Sequence, residues 1–138
     1  MAVSSPTKSD KTANVEHIRS ATASIVPFLK KGALVVLEST VPPKTVENVM
    51  IPELIKSDLI IGEELFVSHS PERVIPGHIF EELTKNDRII GGINETSAQM
   101  TKELYEIFVT GTIHLTDATT AELVKVMENT YRDVNIEL

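Results

Sequence analysis

The sequence predicts an α/β protein built on a doubly wound parallel sheet, and three observations support that prediction. Short β-branched and aliphatic runs alternate with stretches of helical spacing, as they do in βα units that feed a parallel sheet. The 138 residues are enough for one domain with a sizeable core and too few for two ordinary ones. A hydrophobic content of 41% and a charged content of 24% are typical of a folded, soluble protein.

The first half of the chain contains a predicted strand between two predicted helices. Apolar residues recur at helical spacing over 14–30, which predicts an amphipathic helix. A continuous aliphatic run opened by Gly32 predicts a buried strand at 33–37. A proline pair blocks continuation of that strand, and 45–54 is predicted to form a short helix.

The second half adds three short strands and two helices. The strands are predicted at 65–68, 88–91 and 112–115, and the first helix at 95–109. The paired glycines 91–92, at the end of a strand, are interpreted as a turn.

A last helix is predicted to begin at Asp117, whose carboxylate is suited to accept from the exposed amides of the first turn. Leu123, Met127 and Tyr131 repeat at every fourth position along it. This spacing predicts an apolar stripe on one face.

Lys125, Asn129 and Arg132 fall on a neighbouring stripe of the same helix, at i, i+4 and i+7. A solvated helix face is one interpretation of these residues. The other is a face turned toward a ligand, because lysine, asparagine and arginine together bind phosphate, hydroxyl or a developing alkoxide. Spacing alone does not decide between the two.

Composition excludes several classes of function. A net charge of −7 argues against non-specific binding of nucleic acid or anionic membrane, and no apolar run approaches the roughly 20 residues of a membrane helix. The N-terminus lacks the build of a secretory signal, so a cytoplasmic location is expected. With no cysteine and four histidines far apart, no disulfide, thiolate nucleophile or metal site is expected.

Four motifs in order, LVVLESTVPP, VSHSPERVIPG, NDRIIGG and AELVKVMENTYRDVNI, resemble the nucleotide-sugar 6-dehydrogenases, the family of UDP-glucose dehydrogenase. The SPERVIPG and ENTYRDVNI segments look most like the branch that oxidises UDP-N-acetylmannosamine to its uronic acid. The similarity runs through essentially the whole chain.

The resemblance implies that the chain is a fragment. Residues 1–116 resemble the second half of an NAD-binding Rossmann domain, and 117–138 the start of the long central helix that forms the dimer interface in this family. The glycine-rich turn for NAD and the cysteine that carries the thioester would belong to other parts of a full chain. The implied full enzyme is a homodimer that uses NAD, whereas the fragment alone is expected to be inactive.

Three catalytic residues follow from the resemblance. Glu72 matches a glutamate that acts as general acid/base or activates water during thioester hydrolysis. Lys125 matches the lysine that stabilises the alkoxide and oxyanion, and Asn129 the asparagine that holds the sugar or the catalytic water. Without the resemblance, Glu72 would be interpreted as an ordinary charged loop residue.

Binding residues follow in the same way. Arg73, Val74 and Arg132 match substrate-lining positions, together with Lys125 and Asn129. On the cofactor side, Thr40 matches a threonine near the nicotinamide, and Ser5 matches the threonine of the first turn, which approaches NAD.

Two departures from the family pattern bear on these assignments. Lys44 stands where the family usually has glycine, which makes a positive φ harder to adopt there. Pro76 replaces a second glutamate of the UDP-glucose branch, which points away from UDP-glucose as the substrate.

Two other hypotheses remain open. The chain could be a non-catalytic assembly module that pairs with itself through an open sheet edge and the exposed apolar stripe of its last helix. A generic flavodoxin-like or response-regulator domain fits the α/β alternation but leaves the four motifs unexplained.

Overall fold

The computed structural model describes Met1, residues 14–72 and residues 79–137. Those residues form five α-helices and four β-strands. In chain order they are α1 (Glu16–Ile25), β1 (Ala33–Leu37), α2 (Ile51–Leu54), β2 (Leu65–His69), α3 (Ile79–Lys85), β3 (Arg88–Gly92), α4 (Glu95–Tyr105), β4 (Ile113–Asp117) and α5 (Ala118–Glu137). A 3-10 turn, Val26–Phe28, extends α1, and α2 lies between a π-helical turn, Val46–Met50, and a 3-10 turn, Ile55–Ser57.

The four strands form one sheet in the order β1-β2-β3-β4. β1 and β2 run parallel, with Ala33 beside Leu65, and β3 and β4 also run parallel. β2 and β3 are antiparallel, with His69 beside Gly91. The predicted fold class is confirmed, but the prediction that all strands are parallel is wrong at the β2–β3 pair.

The connection between β2 and β3 explains the antiparallel pair. It contains α3, a helix that the sequence analysis did not predict. The amides of Thr110 and Gly111 donate to the Thr84 carbonyl at 2.6 and 3.3 Å, so α3 is held against the loop before β4. The chain re-enters the sheet at the end where β2 stops, and β3 must therefore run in the opposite direction.

The predicted element boundaries differ from the observed ones mainly at helix ends. β1 has the predicted bounds, and β2 and β3 are each one residue longer than predicted. The helix predicted at 14–30 is regular only to Ile25, beyond which Pro27 lacks the amide that an α-helical turn needs. The helix predicted at 95–109 ends at Tyr105.

The two faces of the sheet are packed by different chemistry. The face toward α1, α2 and α5 is apolar, and its fully buried side chains include Ile18, Leu37, Met50, Leu54, Leu65 and Val67. On the α4 face, the buried Thr101 hydroxyl donates to Ser68 Oγ at 2.8 Å, and Ser68 donates to the Ser97 carbonyl at 3.0 Å. Each fully buried aliphatic side chain contributes about 1.5–3 kcal/mol to stability.

α5 begins as the sequence predicts. Asp117 Oδ1 accepts from the Thr120 amide at 2.8 Å, and Oδ2 accepts from the Thr120 hydroxyl at 2.7 Å. These hydrogen bonds lower the pKa of Asp117. The start of the helix lies directly on β3, because a Cβ at Gly91 would stand 2.2 Å from the Asp117 carbonyl oxygen and 2.7 Å from Ala121 Cβ. Within the described residues, no helix is long and apolar enough to cross a membrane.

Candidate functional site

The loops that follow β1 and β2 carry two of the predicted site residues. Because these strands are parallel, their carboxyl ends lie at the same edge of the sheet, where open α/β sheets bind ligands. Thr40 lies after β1 and Glu72 after β2, and both side chains are exposed. The Ser70 amide donates to the Leu37 carbonyl at 2.9 Å and joins the two strand ends.

Three predicted site residues lie outside the residues that the structure describes: Ser5, Arg73 and Val74. Their assignments remain predictions.

The remaining three predicted site residues lie on the polar stripe of α5. Lys125 and Asn129 are partly buried, and Arg132 is exposed. Arg132 Nη2 donates to Asn129 Oδ1 at 2.7 Å, so these two residues contact each other on one side of the helix. The Asn129 oxygen is thereby engaged, whereas its NH2 group remains the part of the amide that donates hydrogen bonds.

Glu122, one turn before Lys125, is a buried carboxylate that the sequence analysis missed. Its side chain is fully buried. Glu122 Oε2 accepts from the Lys44 amide at 2.5 Å, and Oε1 accepts from the Val46 amide at 2.8 Å. Burial raises the pKa of Glu122, and the amides of Val46, Lys44 and Thr45 oppose that rise. The available signal in the sequence was the position of this charged residue, which follows Ala118 and Ala121 and directly precedes the apolar stripe.

The turn that Glu122 contacts has an unusual backbone. Lys44 adopts a φ of 68°, in the left-handed region that glycine enters most easily. The sequence analysis expected lysine to make this conformation harder to adopt. The structure places it there nonetheless, with its amide directed at the Glu122 carboxylate.

His69, at the carboxyl end of β2 and three residues before Glu72, is a second buried polar residue that the sequence analysis did not single out. Its side chain is fully buried, and neither ring nitrogen has a well-formed hydrogen bond to a described residue. Burial lowers the pKa of His69 to about 4, and the Leu37 backbone opposes that change. The ring is therefore neutral at pH 7.

A polar cluster on the α4 face supports the end of β1. The Tyr105 hydroxyl donates to the Glu38 carboxylate, and the Arg88 guanidinium lies 4.8 Å from the centre of the Tyr105 ring. Burial raises the pKa of Tyr105, and the Glu38 carboxylate raises it further. Glu38 stands two residues before Thr40, so this cluster fixes the backbone that leads into the Thr40 loop.

A cavity of about 390 Å³ opens beside the first turn of α5. Glu47 and Asp117 line it together with Ile51, Ile61 and Ile93. Two carboxylates disfavour an anionic ligand there, and the cavity contains none of the predicted site residues.

The sheet, the loops at its strand ends and the long helix after β4 have the architecture of an α/β nucleotide-binding fold. The family model described as "UDP-glucose/GDP-mannose dehydrogenase family, NAD binding domain" matches residues 1–109. The chain belongs to this family. The resemblance seen in the four motifs is thus confirmed.

Relatives with known names support the same assignment. The UDP-N-acetyl-D-mannosamine dehydrogenase of Methanococcus maripaludis is 51% identical over 128 residues, which cover 93% of this chain and 28% of the relative. The NDP-N-acetyl-D-galactosaminuronic acid dehydrogenase of Ralstonia solanacearum is 46% identical over 144 residues, covering 99% of this chain and 34% of the relative. The chain thus spans about a third or less of the length of these relatives.

The solved structure of the UDP-D-ManNAc dehydrogenase from Pyrococcus horikoshii has the same fold. It superposes with a TM-score of 0.91 at 45% identity, covering 96% of this chain and 31% of the other. The roles of the individual site residues and the boundary between 116 and 117 stay predictions.

Proposed function

We propose that this chain is part of an NAD-dependent UDP-N-acetylhexosamine 6-dehydrogenase, acting on UDP-N-acetylmannosamine. The reaction oxidises the primary alcohol of the sugar to a carboxylate, and the uronic acid serves surface polysaccharide synthesis. The observation that carries the proposal is the position of α5: the helix with Lys125 and Asn129 is joined by Glu122 to the turn that follows Thr40. The enzyme is proposed to be a cytoplasmic homodimer.

The residues present fit one end of the cofactor. Thr40 is exposed at the carboxyl end of β1, a position suited to the nicotinamide, whereas the 138 residues contain no glycine-rich turn for the pyrophosphate. NAD, when bound, accepts the hydride in each of the two oxidation steps. Ser5 is proposed to approach the same cofactor.

On the substrate side, each residue has a distinct task. The Lys125 ammonium stabilises the alkoxide that forms as the alcohol loses its proton to a solvent water, an effect worth several kcal/mol when the charge is held in place. The Asn129 amide donates to the sugar hydroxyl or to the water that hydrolyses the thioester intermediate. Glu72 accepts the proton of that water as general base. Arg132, Arg73 and the Val74 backbone are proposed to bind the UDP-sugar.

A chimaera tests this proposal. Residues 1–138 would replace the aligned segment of the M. maripaludis relative, and NADH formation would be followed with UDP-N-acetylmannosamine, UDP-N-acetylglucosamine and UDP-glucose. We expect turnover with the first substrate and a loss of at least about 100-fold in kcat for Lys125→Ala. Lys102→Ala on α4 is the matched control, expected to keep full activity. A folded but inactive chimaera, or an unchanged Lys125→Ala variant, would refute the proposal.

The isolated chain offers a second test. Calorimetric titration with UDP-N-acetylmannosamine should give saturable binding that is lost in Lys125→Ala, and no turnover is expected with NAD. Absence of binding by a folded chain would contradict its role in substrate recognition.

A second candidate function rests on the outer face of α5. Leu123, Met127 and Tyr131 are 43%, 60% and 74% exposed. These side chains form an apolar stripe, which supports the alternative of an assembly module that pairs through its helix. Sedimentation of the isolated chain and of Met127→Glu tests whether the stripe forms a dimer. Titration with UDP-N-acetylmannosamine distinguishes the two functions, since an assembly module binds no UDP-sugar.

A further inference from the structure

We propose that Glu122 is a positioning residue, whose buried carboxylate fastens α5 to the backbone of the 44–46 turn and thereby sets where Lys125 and Asn129 stand relative to the Thr40 loop. The inference rests on the proposed function, because it concerns the geometry of that same site. Glu122 itself is not proposed to contact substrate or cofactor.

The contacts of Glu122 are tertiary and specific. The carboxylate accepts hydrogen bonds from the Lys44 amide at 2.5 Å and from the Val46 amide at 2.8 Å. These two residues lie 78 and 76 positions earlier in the chain. Hydrogen bonds to an ionised acceptor are about twice as strong as neutral ones. Two of them, one to each oxygen, prevent the carboxylate from rotating.

A backbone partner explains how a carboxylate can be buried there. Val46 begins the helical segment that continues through α2, and the first amides of a helical segment lack intrahelical acceptors. These amides carry partial positive charge, which a carboxylate stabilises. Glu122 thus provides acceptors for backbone amides that would otherwise lack a hydrogen-bond partner in the core. These hydrogen bonds in turn offset the free-energy cost of removing the carboxylate from water.

The left-handed turn is the second observation. A non-glycine residue with φ near 68° is in a disfavoured backbone conformation, so surrounding contacts must hold that conformation in place. The Lys44 amide is one of the two backbone amides that donate to the Glu122 carboxylate. The carboxylate therefore fixes the conformation of the turn that follows Thr40 as well as the position of the helix.

Helix geometry connects Glu122 to the proposed catalytic residues. At about 100° per residue, Asn129 lies within about 20° of the direction of Glu122, two turns further on, and Lys125 lies about 60° to one side. A rotation of α5 moves both residues by the same angle. Ala118 and Ala121 are also buried, but an alanine side chain has no polar atom that could bind the 44–46 turn.

The first experiment measures this contact in the isolated 138-residue chain, without any activity. Hydrogen exchange of the Lys44 and Val46 amides would be compared in the wild-type chain, in Glu122→Gln and in Asp133→Asn, an exposed carboxylate of the same helix. We expect at least about tenfold faster exchange of both amides in Glu122→Gln only. Unchanged protection of both amides in that variant overturns the inference.

The second experiment uses the chimaera and a double-mutant cycle. We expect Glu122→Gln to lower kcat at least about tenfold, since small misplacements of catalytic groups are costly, with the KM for the UDP-sugar changed less than kcat. The kcat losses of Glu122→Gln and Lys125→Ala should be non-additive, because the first acts through the second. Additive losses, or an unchanged kcat in a folded Glu122→Gln chimaera, overturn the inference.

The two proposals fail in different ways. An inactive wild-type chimaera refutes the proposed function, whereas the amide exchange of the isolated chain still decides whether Glu122 fixes the turn. If the chimaera is active and Glu122→Gln leaves its kcat unchanged, the proposed function is supported and the positioning role is refuted.

Discussion

Acid is expected to destabilise this chain through His69. The imidazole is fully buried against the core at the end of β2, and burial lowers its pKa from the ordinary 6.5 to about 4. In the unfolded chain the same group takes up a proton near pH 6.5. The unfolded state therefore binds more protons between these two values, and stability falls as the pH falls through them.

The size of the effect follows from the two pKa values. Each pH unit of separation is worth about 1.4 kcal/mol, so a separation from 6.5 to about 4 limits the loss to about 3 kcal/mol. The full contribution is present above pH 6.5, and the loss is complete below about pH 4. Since small domains have a free energy of unfolding of roughly 5–15 kcal/mol, such a loss is readily measured.

Urea unfolding of the isolated chain, followed by circular dichroism from about pH 7 to about pH 4, measures the loss. His69→Leu replaces the ring with an apolar side chain of similar volume and should remove this part of the acid sensitivity. The exposed His114→Gln on β4 is the matched control and should keep it. The carboxyl groups are the same in all three proteins, so their contribution cancels in the comparison. If His69→Leu loses as much stability as the wild type over this range, the reasoning is refuted.

Three substitutions test the packing that positions the site, each by urea unfolding. Asn94→Ala should cost about 1–2 kcal/mol, because Asn94 Oδ1 caps α4 by accepting from the Ser97 amide at 2.9 Å, and Asn94→Asp, which keeps the acceptor, should cost less. Thr101→Val should cost about 1 kcal/mol by removing the hydroxyl that donates to Ser68, whereas Thr101→Ser should retain most of the stability. Gly91→Ala should cost about 3 kcal/mol, since its Cβ would meet the Asp117 carbonyl, and a neutral result would contradict the close seating of α5.

Features with strong local signals were predictable from the sequence. The aliphatic run of β1 has no helical periodicity, and the strand was predicted with its observed bounds. Asp117 caps α5 as expected, because an N-cap depends only on residues within one turn. The family was recognisable for a related reason, since its motifs are contiguous.

Long-range features were not predictable in the same way. The direction of β3 depends on where the chain re-enters the sheet, which no local pattern specifies. Gly91 and Gly92, interpreted as a turn, lie within β3, where added Cβ atoms would collide with Asp117 and Ala98. The contact of Glu122 spans more than 70 residues of sequence, so the carboxylate gave no local sign of its partners.

α5 shows why the orientation of the site is harder to predict than its residues. Hydrophobic periodicity selects Leu123, Met127 and Tyr131, yet these are exposed. The buried residues of α5 are Ala118, Ala121 and Glu122, which are too small or too polar to register as an apolar stripe. Small side chains allow the helix to approach β3 closely, and the single carboxylate fixes its rotation. The direction in which Lys125 and Asn129 point is therefore determined by contacts that the hydrophobic pattern does not contain.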